Sequence, residues 1–367
     1  MTKARTNASA SQVVGRNMVI NGAMNVAQRS ASVTGLGGSS SYYTLDRWKL
    51  VSLSTAGRLT MSQTADGPNG ISANCLKLDC TTADASIAAG EILLLRQGME
   101  GQNVQRIGKG VAGAKQITVS FYVKASAAFT FGVELEDTDN SRQITKLFAT
   151  TTDWVRHSFV IAADEDDGSS AFADDNAESL RVSFILHAGS NFTSGTLNTA
   201  SFANTTNANR VPGIDSFFSS TDNNFFLTGV QLEVGPVATE FEQEDIGVTL
   251  GKCQRYFYIV QEAGFANGVN DIGIVCAPYG ANSAFGTVYF PHTMRATPTM
   301  AAGGAWATRN NNNEVLPSGL SGLQRAGTRG VMFTCTATSV TAGQAFWIEP
   351  SSGTDPDTAF MNFIAEI

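Results

Sequence analysis

Histidines, cysteines and one acidic run are the residues from which this chain could assemble a reactive centre. There are only three His: His157 and His187 fall at outward positions of predicted strands, and His292 follows Pro291. None sits in an HxH or HExxH spacing, which argues against a metal hydrolase. Cys75, Cys80, Cys253, Cys276 and Cys335 form an odd, scattered set with no CxxC. That pattern indicates neither a zinc site nor a disulfide framework. Cys75 and Cys80 could pair across a turn, but buried reduced thiols are the plainer reading. Between residues 162 and 178 lie Asp164, Glu165, Asp166, Asp167, Asp174 and Asp175. An EF-hand needs oxygen ligands at alternate positions and a Glu at the twelfth, which this run does not supply in register. A solvated acidic loop is the first reading and a weak cation site the second. No GxSxG elbow, P-loop or dinucleotide fingerprint occurs, and Gly35-Leu36-Gly37-Gly38 follows no strong strand and opens no helix. The paired carboxylates of a glycosidase come from distant strands and leave no motif. The expectation is a non-enzymatic chain with no catalytic centre, no cofactor and no metal site.

The elements that hold these residues are β-strands. The 367 residues are 43% apolar and only 15% charged, too apolar for disorder and too weakly charged for a helical bundle. Gly, Ser, Thr and Asn fill the polar share, and 22 Phe supply bulky inward residues. A formal net charge of −8 with scattered Lys and Arg gives no basic patch for nucleic acid. No apolar run approaches the roughly 18 residues of a membrane span. Residues 1–14 carry two basic side chains, Lys3 and Arg5, without the apolar core of a secretion signal, so synthesis in a cytoplasm is expected.

Along the chain, residues 1–16 read as a flexible or docking arm. Residues 117–124 alternate cleanly, with Ile117, Val119, Phe121 and Val123 on one face and Thr118, Ser120, Tyr122 and Lys124 on the other. Residues 129–136 repeat the pattern, burying Phe129, Phe131, Val133 and Leu135 and exposing Thr130, Glu134 and Glu136. Residues 154–161 and 181–187 do so again. Residues 225–234 close the set, with Phe226, Val230, Leu232 and Val234 inward. Residues 190–221, rich in Asn, Ser and Thr, read as a surface loop. Five or more such strands between turn-rich loops predict a β-sandwich over 17–241.

A helix is predicted over 242–255. Ile246, Leu250, Cys253 and Phe257 fall at 4-3-4 spacing, and Glu242, Glu244 and Asp245 lie where a helix dipole favours negative charge. Residues 256–367 return to strand signals at 285–290, 330–337, 344–349 and 359–367, with an Asn run at 310–313 marking a loop. The expected fold class is therefore all-β: an N-terminal jelly-roll β-sandwich, a short connecting helix and a smaller C-terminal β-sandwich domain.

Several segments resemble one family in order along the chain. Asn21-Gly22-Ala23-Met24-Asn25-Val26-Ala27-Gln28-Arg29 and Asp46-Arg47-Trp48 are similar to the opening motifs of tail-appendage proteins of tailed bacteriophages. Val230-Gln231-Leu232-Glu233-Val234-Gly235, Ala238-Thr239, Phe241-Glu242, Cys253-Gln254-Arg255-Tyr256-Phe257-Tyr258 and Phe290-Pro291 through Pro298 resemble the motifs that follow there. So does the terminal Phe363-Ile364-Ala365-Glu366-Ile367. The resemblance implies a first domain like the jelly-roll of carbohydrate-binding modules. Many of those modules hold a calcium with carboxylates at positions that here read Met24-Asn25 and Leu227-Thr228-Gly229, so the metal is not carried over. From the residues alone, Trp48, Val230 and Leu232 are core, Arg47 is a hydrogen-bonded anchor, and Gly235-Pro236 ends the closing strand.

The family resemblance further implies a tail fibre or receptor-binding appendage of a virion, attaching to a bacterial surface polysaccharide. Other phage structural proteins would be its partners, through the N-terminal arm. Such appendages are commonly homotrimers, and Ile246, Leu250, Cys253 and Phe257 would form either a three-chain contact or a joint between domains. A glycan site needs an exposed ring with polar groups nearby. Tyr122, Glu134, Arg181 and His187, outward on predicted strands, are the candidates for one shared face. A capsid or tail decoration protein with a purely structural jelly-roll is the alternative, and a capsule depolymerase the second. Neither nucleic-acid binding nor membrane insertion is expected.

Overall fold

A computed structural model describes residues 15–165, 170–260, 274–280, 282–304, 306–310, 313–315, 317–337, 346–350 and 360–367. Residues 1–14 of the arm expected over 1–16, and part of the acidic run, 166–169, lie outside the described residues. The chain divides between Thr249 and Leu250 into two compact units, with Ile367 counted in the first.

The first unit is a jelly-roll sandwich of antiparallel strands: β1 (Ser32–Leu36), β2 (Ser41–Tyr42), β3 (Lys49–Leu53), β4 (Arg58–Thr64), β5 (Cys75–Thr82), β6 (Ile92–Glu100) and β7 (Ile117–Ala125). It continues through β8 (Thr130–Asp137), β9 (Arg142–Ala149), β10 (Val155–Ile161), β11 (Glu178–Ala188), β12 (Ala203–Asn204) and β13 (Asn224–Val234). One sheet runs β1-β4-β5-β13-β7-β10 and the other β12-β9-β8-β11-β6-β3-β2. The faces between them close on Trp48, Phe121, Phe131, Phe184 and Phe225, all fully buried. Each contributes about 1.5–3 kcal/mol of hydrophobic stabilisation.

The motif residues near the start are architectural. Asn21 holds a tight turn with a positive φ of 56°, its side chain donating to Val26 O and Asp46 O and accepting from the N–H of Asn25 and Val26. A Cβ on Gly22 would stand 2.1 Å from Val230 O, so only glycine lets this turn abut β13. Trp48 Nε1 donates to Asn21 O at 3.2 Å, and the fully buried Arg47 donates to Gly98 O at 2.7 Å.

Strand β7 has the expected alternation, with Ile117, Val119, Phe121 and Val123 in the core. Strand β13 departs from it. Phe225 and Leu227 point inward, and so do Val230 and Leu232, which is a change of parity. A β-bulge between Thr228 and Gln231, with Gly229 at φ 59°, supplies the extra residue. Phe226 is therefore outward, not inward as the strand pattern suggested.

The seven-stranded sheet also departs from the expected alternation. Glu134 is fully buried on its outer side, because the chain between β11 and β13 folds back over that side. Val211 packs there against Ile92, Leu94 and Ile185, with Phe192 and Ile214 alongside. Residues 190–221 thus build a second, small core in place of a free surface loop. His157 likewise lies inward: it pairs with Phe121 across the β7–β10 ladder, and its ring rests near Phe121 and Phe148.

The helix α1 (Ile246–Gln254) is shorter than expected. Asp245 caps it, accepting from Gly247 N–H at 2.8 Å, while its carbonyl accepts from Thr249 N–H. Phe257 is not on the helix. It lies on β14 (Phe257–Val260), where pairing with the C-terminal strand ends the helical run.

The second unit continues with β15 (Ile274–Gly280), β16 (Ser283–Tyr289), β17 (Thr299–Gly303), β18 (Trp306–Asn310), β19 (Asn313–Val315), β20 (Pro317–Gly327), β21 (Gly330–Ala337), β22 (Phe346–Pro350) and β23 (Phe360–Ile364). A three-stranded sheet, β14-β23-β17, and a seven-stranded sheet, β19-β18-β22-β15-β16-β21-β20, share a core that includes Phe333, Phe346, Met361 and Phe363. Of the Asn run, Asn310 on β18 pairs with Asn313 on β19, and residues 311–312 lie outside the described residues.

Candidate functional site

Strands β7, β10 and β13 place Tyr122, Arg156 and Thr228 side by side on the outer face of the six-stranded sheet. The Arg156 guanidinium carbon lies 5.8 Å from the centre of the Tyr122 ring. The missing side chain of Gly229 makes room for that ring, since a Cβ there would meet Tyr122 Cδ2 at 2.8 Å and Ile71 Cγ2 at 2.9 Å. The bulge that turns the strand thus also seats the aromatic ring.

Beyond β13 the chain returns along this face and walls a cleft of about 670 Å³. Its lining includes Arg16, Ile71, Tyr122, Arg156, Glu240 and Gln243, with Glu242, Glu244 and Asp245 on the same wall. Gln243 Nε2 donates to Ile71 O at 2.7 Å and ties the two walls together. The Glu242 carboxylate is fixed by the N–H groups of Gly15 (2.6 Å) and Asn17 (2.8 Å). Arg16 donates to Glu240 O, and Arg156 to Thr239 O. The Nε–H groups of Arg16 and Arg156 are both buried without a hydrogen-bond acceptor. Arg16 Nε lies 4.0 Å from the Glu233 carboxylate, and Arg156 also donates to Ser120 Oγ, so both guanidinium groups are anchored on the cleft wall.

The same face continues past Tyr122. The Lys124 ammonium sits 4.7 Å from the centre of the Phe226 ring and 5.3 Å from that of Trp154, and it pairs with Asp66 at 2.6 Å. The Trp154 and Phe226 rings meet edge to face at 6.3 Å. The site therefore combines a ring, two guanidinium groups, carboxylates and an adjoining pair of aromatic rings. Such a surface can stack apolar sugar faces and hydrogen-bond their hydroxyls. Phe226 was missed because its parity depends on the bulge. The one available signal was the isolated Gly229 in a strand pattern.

The four candidate ligand residues do not share a face. Tyr122 lies on the six-stranded sheet, while Glu134, Arg181 and His187 belong to the seven-stranded one. Glu134 is covered by Arg210, whose Nε donates to it at 2.8 Å. Burial works against the Arg210 charge, but the Glu134 carboxylate more than offsets this and raises its pKa. Arg181 is engaged with Glu178 at 2.6 Å and Glu136 at 3.3 Å. His187 is fully buried, between Ser216 and Glu91. Of the proposed joint residues, Ile246 is 54% exposed, Leu250 half-buried, and Cys253 and Phe257 buried. In the acidic run, Asp164 is committed to Lys109 (3.1 Å) and Arg142 (2.8 Å), which leaves it ill suited to a cation site.

No family model matches the chain, and no curated protein matches it. Among solved structures, the chain is similar to a family 4 carbohydrate-binding module at 11% identity, over 59% of this chain and 98% of that one, with a TM-score of 0.29. A CBM61 module in complex with β-1,4-galactotriose is 9% identical over 60% and 99%, with a TM-score of 0.30. A family 11 module from Clostridium thermocellum, in complex with a β-1,3-1,4-mixed-linked tetrasaccharide, is 9% identical over 57% and 98%, with a TM-score of 0.27.

Proposed function

We propose that this chain is a non-catalytic glycan-binding appendage of a tailed-phage virion, and that its first unit holds a bacterial surface polysaccharide in the Tyr122–Arg156 cleft. The observation that carries the binding role is the cleft itself. A ring beside the Arg156 guanidinium, in a cleft walled by polar and acidic side chains, suits a chain of hydroxyl-bearing rings. The virion assignment is supported by the ordered series of motifs from Asn21 to Ile367. In this reading the chain sits on the tail, and its N-terminal arm contacts other phage structural proteins. It assembles as a homotrimer, with the apolar, more than half-exposed Ile246 and Val248 available as contact surface.

The test is a glycan array probed with the full chain and with Tyr122→Ala and Arg156→Ala. Loss of roughly two- to tenfold in affinity for each variant is expected, as one aromatic contact or one net hydrogen bond is worth about 0.5–1.5 kcal/mol. Unchanged binding by both variants would remove the site. Labelling on intact virions tests tail against head, and the solution mass tests the trimer.

A further inference from the structure

The first unit contains a second group of ligand-type side chains, drawn from the β5–β6 connection and β11 and absent from the cleft. Asp84, Glu91 and His187 offer donor atoms that all lie within 4.8 Å of one another. Their exposures are 6%, 3% and 0%. Asp84 follows the end of β5, and Glu91 immediately precedes β6. His187 lies near the end of β11, just past a register shift between Ile185 and His187.

Each of the three is held by an outer partner. The Asp84 carboxylate accepts from Ala56 N–H at 2.8 Å, Thr55 Oγ1 at 3.0 Å and Ser86 N–H at 3.3 Å. Glu91 Oε1 accepts from Ala88 N–H at 2.9 Å, leaving Oε2 facing His187 Nε2 at 3.0 Å. His187 Nδ1 meets Ser216 Oγ at 2.7 Å. That is the orienting contact a metal-binding imidazole makes with its second nitrogen.

Charge provides an independent argument. Among the described residues, neither buried carboxylate pairs with a lysine or arginine, and His187 is the basic side chain beside them. The two carboxylates are held by hydrogen bonds alone, from Ala56, Thr55, Ser86, Ala88 and His187. Two carboxylates, a neutral imidazole and one divalent cation sum to zero.

We propose that Asp84, Glu91 and His187 bind a single divalent transition-metal cation, of the zinc or manganese class. His187 Nε2 and one oxygen from each carboxylate are the ligands. A set of one nitrogen and two oxygens suits these ions better than calcium or magnesium, which take oxygen alone. Donors about 2.0–2.2 Å from a tetrahedral ion lie roughly 3.3–3.6 Å apart. Atoms that now lie within 4.8 Å of one another close by up to about an ångström when the ion binds. The ion joins the β5–β6 connection to β11 and serves as a structural clamp. No motif announces it, because Asp84 and Glu91 share one connection while His187 lies 96 residues beyond Glu91.

The experiment uses the full chain, stripped with a chelator and titrated with Zn2+, Mn2+ and Co2+ by calorimetry and visible absorption. One equivalent bound per chain, with a rise in the thermal midpoint, is expected. His187→Gln should bind roughly 100-fold more weakly or not at all, and Ser216→Ala about 10–100-fold more weakly. The double variant His157→Gln/His292→Gln should bind as the parent does. Absence of stoichiometric uptake by the parent overturns the proposal, whatever the variants do. So does unchanged affinity in His187→Gln, or a Co2+ spectrum carrying thiolate charge transfer, which would place the ion on a cysteine.

Discussion

Replacing Gly229 by alanine tests whether the bulge in β13 both shapes the strand and seats Tyr122. Two costs follow from the structure. The residue sits at φ 59°, where a side chain costs about 1–2 kcal/mol. The new Cβ would also fall 2.8 Å from Tyr122 Cδ2 and 2.9 Å from Ile71 Cγ2. Carbon contacts are comfortable at about 3.5–4.0 Å, so ring and isoleucine must give way, an overpacking cost of roughly 1–3 kcal/mol. Gly70→Ala is the control, since Gly70 has φ 78° but nothing within 4 Å of its would-be Cβ. It should lose only the backbone share. Urea unfolding followed by tryptophan fluorescence measures both, with Trp306 and Trp347 replaced by Phe so that Trp48 and Trp154 report on the first unit. Gly229→Ala should be destabilised by about 3 kcal/mol, clearly more than Gly70→Ala, and should lose glycan affinity through the displaced ring. Equal destabilisation of the two would refute the reasoning, because it would mean that Tyr122 does not lean on the glycine.

Lys109→Met should cost about 3–5 kcal/mol in the same assay, since it strands the fully buried Asp137, 2.6 Å from the ammonium group. Lys109→Met/Asp137→Leu should recover most of that loss, and a single-variant cost below about 1 kcal/mol would show the pair to be dispensable. Burial raises the thiol pKa of Cys276 to about 12 and of Cys335 and Cys80 to about 11. At pH 8 the native chain should therefore resist alkylation that the urea-unfolded chain accepts, as mass spectrometry would show. The same shifts give a sign for stability: unfolded thiols ionise near pH 9 and folded ones do not, so stability should fall as pH climbs from 9 towards 11–12. Trp154→Ala and Phe226→Ala should weaken binding of long glycans more than of short ones, since the two rings extend the Tyr122 face; equal losses would place them outside the binding surface.

How far the fold could be read from sequence depended on whether a local pattern or a distant covering segment decided the outcome. The alternation of Ile117, Val119, Phe121 and Val123 was legible because one face meets the core and nothing irregular interrupts the strand. Phe226 was misplaced because one glycine shifts the count by one, and every residue before it changes face. Glu134 and His187 were misread for a different reason. Polar residues at alternate positions look solvent-facing, and only the return of residues 190–216 over the sheet buries them. Phe257 kept helical spacing but joined β14, because pairing with β23 outweighed the local signal. Within the site, Tyr122 was legible as an outward ring on a strand. Arg156 and the wall from Glu240 to Asp245 were not, since their approach is set by where the chain goes after Gly235-Pro236.

The two outer faces of the first unit differ for a reason that bears on function. Over the seven-stranded sheet, the connection between β11 and β13 carries apolar residues, Phe192, Val211 and Ile214, and these find Ile92, Leu94 and Ile185 beneath them. Covering that face therefore gains hydrophobic stabilisation and leaves the charged side chains there paired, as Arg210 with Glu134 and Arg181 with Glu178. Over the six-stranded sheet the returning segment from Glu240 to Asp245 is acidic and touches the face at its margin, through Gln243 and Glu242. It cannot seal the face as an apolar segment would, and a cleft remains with Tyr122 inside it. The metal candidate and the Tyr122 cleft lie apart for the same reason. Asp84, Glu91 and His187 belong to the side where the chain closes over itself, a setting suited to a clamp. Tyr122 and Arg156 belong to the side that stays open, where a long polymer can lie across the strands.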